Sequence, residues 1–112
     1  MANRRYTVEL VHEAEKDLKR LRPWTGQAAR HILRLEDDPM AGHPLTGVLR
    51  GTRSLEFNLK GGGAFRAVYT VLNDERVCVV LIVGPHESIY QRAERRYRAW
   101  LKRAESTESF SE

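Results

Sequence analysis

Apolar and polar residues alternate from Tyr6 to Val11, with Tyr6, Val8 and Leu10 set against Thr7, Glu9 and Val11, the period of two that predicts a half-buried strand. The period changes at Glu13. Ala14, Leu18 and Leu21 then recur with Glu15, Lys16, Lys19 and Arg20 between them, which predicts a helix with one solvated face, ended by Pro23. Thr25 stands as the N-cap of a second helix that carries Ala28, Ala29, Ile32, Leu33 and Leu35 inward and stops at Asp38-Pro39. The segment from Met40 to Gly51 has no sustained period and is rich in Gly and Pro, so it reads as a loop anchored by Leu45 and Leu49.

Alternation returns from Ser54 to Leu59, with Leu55, Phe57 and Leu59 on one face and Ser54, Glu56 and Asn58 on the other. Gly61-Gly62-Gly63 turns the chain into a strand over Phe65 to Leu72, and Asn73-Asp74 turns it again. Arg76 to Val83 is apolar almost throughout, as a central strand covered on both faces is. After Gly84-Pro85, Ile89, Ala93, Tyr97 and Trp100 or Leu101 recur at helical spacing from Ser88 onward. The predicted fold is α+β in the order β-α-α-β-β-β-α, with a mostly antiparallel four-stranded sheet, an N-terminal helical hairpin and a C-terminal helix. Residues 1–103 form one domain, and the polar stretch 104–112 is expected to be a disordered tail.

Length agrees with a single domain, since 112 residues bury one core without staples. Cys78 is the only cysteine, closes no bridge within the chain and leans toward a reducing, cytoplasmic setting. The longest apolar run, Val77 to Val83, is far short of the roughly 20 residues a bilayer-spanning helix needs, and no apolar signal core follows Met1. No membrane partner is expected. The net charge of +4 is concentrated, with Arg92, Arg95, Arg96, Arg98, Lys102 and Arg103 in one segment. Fifteen of the nineteen cationic residues are Arg, whose planar fork matches phosphate oxygens, so an anionic partner gains weight.

Several chemistries fail on spacing. His12, His31, His43 and His86 are scattered, which disfavours a metal site; the triple glycine precedes a strand and lacks Gly-Lys-Ser/Thr, which disfavours a phosphate loop; and no G-x-S-x-G elbow exists. Three residues of the C-terminal half remain. Arg66, inside the apolar strand Phe65-Arg66-Ala67-Val68-Tyr69, either pairs with a carboxylate on a neighbouring strand, for which Glu56 is the candidate, or holds an anionic ligand over the sheet. His86 at the strand-to-helix junction either fills a turn or moves a proton, and Tyr90 either opens the packed face of the third helix or meets a ligand.

The strings Leu45-Thr46-Gly47-Val48-Leu49, Phe65-Arg66-Ala67-Val68-Tyr69 and Val83-Gly84-Pro85-His86 to Ile89-Tyr90, following the Ala14-Glu15-Lys16-Asp17-Leu18 helix, resemble in order and spacing the RelE/ParE superfamily of type II toxins. The resemblance spans nearly the whole chain and implies a RelE-like fold and neutralisation by a cognate antitoxin, as a dimer or a toxin–antitoxin heteromer. In its RelE and YoeB branch it implies a ribosome-dependent endoribonuclease that cuts mRNA through the message's own 2′-hydroxyl, with no metal or cofactor. In its ParE branch it implies a toxin without nuclease chemistry that inhibits DNA gyrase. Carried onto this chain, Arg66 would stabilise the phosphorane, His86 would give or take a proton, and Tyr90 would orient or stack on the substrate. Where some RelE-like enzymes carry lysines this chain has Glu56 and Asn58, so Glu56 would serve as base, as in YoeB-like relatives. Arg53, Lys60 and the helix arginines Arg92, Arg95 and Arg96 would contact RNA phosphates.

Overall fold

The computed structural model describes residues 5–87 and 89–111, with side chains through Glu105. Strand β1 (Thr7–Leu10) leads into helices α1 (His12–Lys19) and α2 (Thr25–Leu33), and a two-residue strand β2 (His43–Pro44) follows. Strands β3 (Thr52–Leu59), β4 (Gly63–Leu72) and β5 (Val77–Pro85) then form a meander before helix α3 (Ile89–Ser111). Each periodic segment of the sequence therefore becomes the element its period predicts. The backbone of α3 continues as helix past residue 103, where the sequence pattern suggested a tail; Ser88, expected at its start, lies outside the described residues.

The sheet has five strands in the order β1-β5-β4-β3-β2, and it is mixed, because β1 pairs with β5 in parallel. This corrects the expectation of four mostly antiparallel strands. Two local facts account for the difference. A strand of two residues shows no period, and Pro44 is tolerated in it because β2 lies at the sheet edge. Strand β1 runs parallel to β5 because the two helices carry the chain back across the sheet before the meander begins, a connection that periodicity does not encode.

Two cores cover the two faces of the sheet. On one, Ala14, Ala28, Ile32 and Leu35 of the helical hairpin meet Leu55, Phe57, Leu59, Phe65, Ala67 and Tyr69. On the other, Ile89, Ala93 and Tyr97 of α3 meet Val68, Val79, Leu81 and Ile82. Strand β5 is thus covered on both sides, as its unbroken apolar run implied. A register shift between Val68 and Tyr69 leaves Leu81 as an extra residue on β5, so the side-chain alternation inverts and Val83 joins the first core.

Three details depart from the sequence reading. Trp24, not Thr25, precedes α2 as its N-cap, while the Thr25 hydroxyl donates to the Leu18 carbonyl at 2.9 Å. Leu33, expected inward, is 47% exposed, because α2 gives way to a 3₁₀ turn at Arg34–Glu36 that buries Leu35 instead. Asp17, unremarked in the helical stripe, is buried at the free edge of β5, beyond the end of β1. Its carboxylate accepts the Val83 N–H at 3.0 Å and two N–H groups of Arg96 at 2.6 and 3.2 Å, while Arg96 also donates to the Leu81 carbonyl at 3.0 Å. The pair takes up backbone groups that no neighbouring strand reaches.

Candidate active site

Register builds the site. Across the β3–β4 ladder Glu56 lies opposite Arg66, and across the β2–β3 ladder His43 lies opposite Ser54. Successive side chains of a strand alternate faces, so Ser54, Glu56 and Arg66 share the face of Val68, the one that α3 packs on. His43 joins them there as the partner of Ser54. The first turn of α3 supplies Tyr90, and the opposite cross-strand pair Arg66 and Glu56 closes an ion pair at 2.9 Å.

Arg66 is the hub of this group. The same Nη1 that meets Glu56 donates to the Tyr90 hydroxyl, and the guanidinium carbon lies 5.3 Å from the Tyr90 ring centroid. The Tyr90 hydroxyl in turn donates to the Ser54 hydroxyl at 3.4 Å. The Arg66 side chain is only 11% exposed, whereas Glu56 is 52% exposed. The arginine Nε is buried with no hydrogen-bond acceptor, an unmet donor inside a charged cluster. Of the two readings open for a mid-strand arginine, the cross-strand ion pair is realised, and it sits beside an open surface.

Glu56 is the member that faces outward, and it borders two depressions. One is lined by Arg34, Met40, His43, Pro44 and Arg53, and there the His43 Nδ1 comes within 3.8 Å of a Glu56 carboxylate oxygen. The other is lined by Asn58, Ala64 and His86. The His86 ring is exposed, and its backbone N–H donates to the Ala64 carbonyl at 3.1 Å, which fixes the junction after β5 against β4. A carboxylate close to one imidazole and sharing a depression with another, beside an arginine and a phenol, can take a proton, give a proton and stabilise negative charge.

The remaining predicted contacts are dispersed. Arg53 projects to the opposite face from Arg66 and donates to the Gly42 and Met40 carbonyls at 2.7 and 3.3 Å, so it braces the loop before β2. Arg96 lies in the edge pair with Asp17. Arg92 reaches to 3.7 Å of the same carboxylate and runs beside Gly84, the residue opposite Arg66 in the ladder. Arg95 is exposed in a groove with Val11, Glu13 and Arg103, and Lys60 is exposed at the β3–β4 turn. His43 and Ser54 were missed as site members. Ser54 was legible on the polar face of β3, but the cross-strand partner that brings His43 to it was not.

Among the described residues no group of three or more His, Cys, Asp or Glu is placed to hold a metal ion, and no helix is long and apolar enough to cross a membrane. Comparison with known proteins adds a family to this geometry. The model of the "ParE toxin of type II toxin-antitoxin system, parDE" matches residues 8–90. No curated protein matches the chain. Among solved structures, the RelBE2 toxin–antitoxin complex of Mycobacterium tuberculosis is similar, with 28% identity and a TM-score of 0.62 over 73% of this chain and 99% of that one. An arginine double mutant of Escherichia coli RelE in the free state has 21% identity and a TM-score of 0.65, over 84% and 97%. The same mutant bound to a RelB peptide has 22% identity and a TM-score of 0.59, over 79% and 93%. The chain belongs to the ParE toxin family and is, within the RelE/ParE superfamily, a toxin of a type II toxin–antitoxin system.

Proposed function

We propose that this toxin is an endoribonuclease that cleaves mRNA on the ribosome through the 2′-hydroxyl of the message. The observation that carries the reading is the cluster around Arg66, in which a guanidinium, a carboxylate and a phenol meet beside an open surface, with His43 close to the carboxylate and His86 lining a depression that the carboxylate borders. In this reaction Glu56 takes the 2′-hydroxyl proton and the freed oxygen bonds to phosphorus. The bond to the 5′-oxygen breaks, and that oxygen leaves with a proton from His86. Arg66 meets the negative charge that builds on the phosphoryl oxygens, and its unmet Nε–H is suited to such an acceptor. Tyr90 holds the guanidinium and offers a ring face for a base. The products are a 2′,3′-cyclic phosphate and a free 5′-hydroxyl.

Working beside ribosomes and messages places the protein in the cytoplasm, and a cognate antitoxin, as in the similar RelBE complexes, is its expected regulator. A second reading is favoured by one observation, the match to the ParE family model, under which the toxin blocks DNA gyrase and cuts no RNA. Purified toxin added separately to translating ribosomes and to gyrase on relaxed plasmid tests the two. The nuclease reading predicts cut messages and normal supercoiling. Arg66→Ala is expected to slow cleavage by about 10²–10³-fold, the usual cost of one electrostatic stabiliser. Intact messages beside blocked supercoiling would transfer the assignment to gyrase.

A further inference from the structure

We propose that His43, from the two-residue edge strand, is a further catalytic residue that works with Glu56 on the attacking side of the reaction; the inference rests on the nuclease reading. Position supports this first. His43 stands opposite Ser54 and diagonal to Glu56 on the same face, with its Nδ1 3.8 Å from the carboxylate. An in-line displacement at phosphorus needs its base and its acid on opposite sides, and His43 lies on the same side as Glu56. His86 lines the other depression bordered by Glu56 and is left for the leaving group.

Placement of His43 is also enforced from below, which an incidental surface histidine does not need. The Tyr69 hydroxyl, buried in the first core, donates to the Pro39 carbonyl at 2.8 Å and accepts the Gly42 N–H at 2.9 Å. Arg53 holds the Gly42 carbonyl from the same face at 2.7 Å. Gly42 is itself confined, because a Cβ there would lie 2.7 Å from the Ser54 carbonyl oxygen. Both backbone polar groups of the residue before His43 are therefore fixed by side chains, while the imidazole stays 53% exposed.

In the step proposed, the imidazole or the carboxylate accepts the 2′-hydroxyl proton as that oxygen bonds to phosphorus, and the 5′-oxygen departs with its electron pair and a proton from the far side. His43→Ala removes an exposed side chain and keeps the backbone ladder, so the fold is expected to be retained. The test measures single-turnover cleavage of mRNA on ribosomes by wild type, His43→Ala, Glu56→Ala and the double variant, with and without added imidazole. The expected result is a loss of about tenfold or more for His43→Ala, partly restored by imidazole, and a double variant slower than Glu56→Ala by a similar factor. A wild-type rate in His43→Ala would overturn the inference. So would a His43 substitution that is silent in the Glu56→Ala background, which would make His43 only a positioning residue for Glu56. In both cases cleavage by wild type and its loss in Arg66→Ala leave the nuclease reading standing, whereas RNA left intact by wild type removes both.

Discussion

A guanidinium largely covered by its neighbours keeps its place only if each neighbour contributes, and Arg66 has a carboxylate, a phenol and a ring face around it. Tyr90→Phe removes the hydroxyl that links Arg66 to Ser54 and is expected to lower cleavage with little loss of stability, read by cleavage rate and urea denaturation. Asp17 and Arg96 form the tighter pair, with side chains 2% and 19% exposed. Asp17→Ala would leave Arg96 without its buried partner and the Val83 N–H without an acceptor, so a loss of about 3–5 kcal/mol is expected in chemical denaturation. Burial pushes the Cys78 thiol up to about 11 and also raises Tyr69, where desolvation outweighs the hydrogen bond to Gly42. Both folded groups hold their protons more firmly than the unfolded chain does. Their contribution is present below about pH 9 and is lost as pH rises toward 11, so unfolding midpoints should fall across that window, less steeply in Cys78→Ala. Little of this was legible from the sequence. Arg66 was visible as a charge in an apolar strand, but Asp17 sat unmarked in a helical stripe because nothing local announces that β1 stops short of Val83.

Elements decide whether the residues meet. The β3–β4 hairpin was legible in outline, because alternation marked both strands and the glycines marked the turn, where Gly61 and Gly63 adopt φ of 82° and 97°, but the register that sets Glu56 opposite Arg66 was not. The tip of this hairpin is docked on α2, with the Trp24 indole donating to the Lys60 carbonyl at 2.9 Å and Gln27 accepting the Lys60 N–H at 3.1 Å. Strand β2 is the counter-example. Its two residues carry no period, and its position comes from Tyr69 and Arg53, which lie far along the chain. Tyr69→Phe should therefore cost about 1–3 kcal/mol, the penalty for leaving a buried N–H and a part-buried carbonyl unpaired. Gly42→Ala should displace β2 and reduce cleavage while α3 and its core stay folded, seen as local loss of amide protection at residues 42, 43 and 45.

At the scale of the molecule, two helices cover one face of a mixed sheet, one helix covers half of the other, and the uncovered β2–β3–β4 surface carries the cluster. The fold class was legible because every long element announced its period. The fifth strand and the parallel pairing were not, because both depend on contacts between segments far apart in sequence. The excess of arginine was legible too, but its positions were not, since Arg53 and Arg96 serve the fold and Arg95 lies in a groove with Val11 and Glu13. The proposed chemistry therefore depends on one small surface and on what Arg66, Glu56, Tyr90, His43 and His86 do there together. The most direct test is the chemical identity of the ends made when purified toxin meets ribosomes carrying a defined message. The expected products are a 2′,3′-cyclic phosphate on the upstream fragment and a 5′-hydroxyl on the downstream one, both formed about 10²–10³-fold more slowly with Arg66→Ala. A 5′-phosphate on the downstream fragment, or a message left whole by wild-type toxin, would contradict this chemistry.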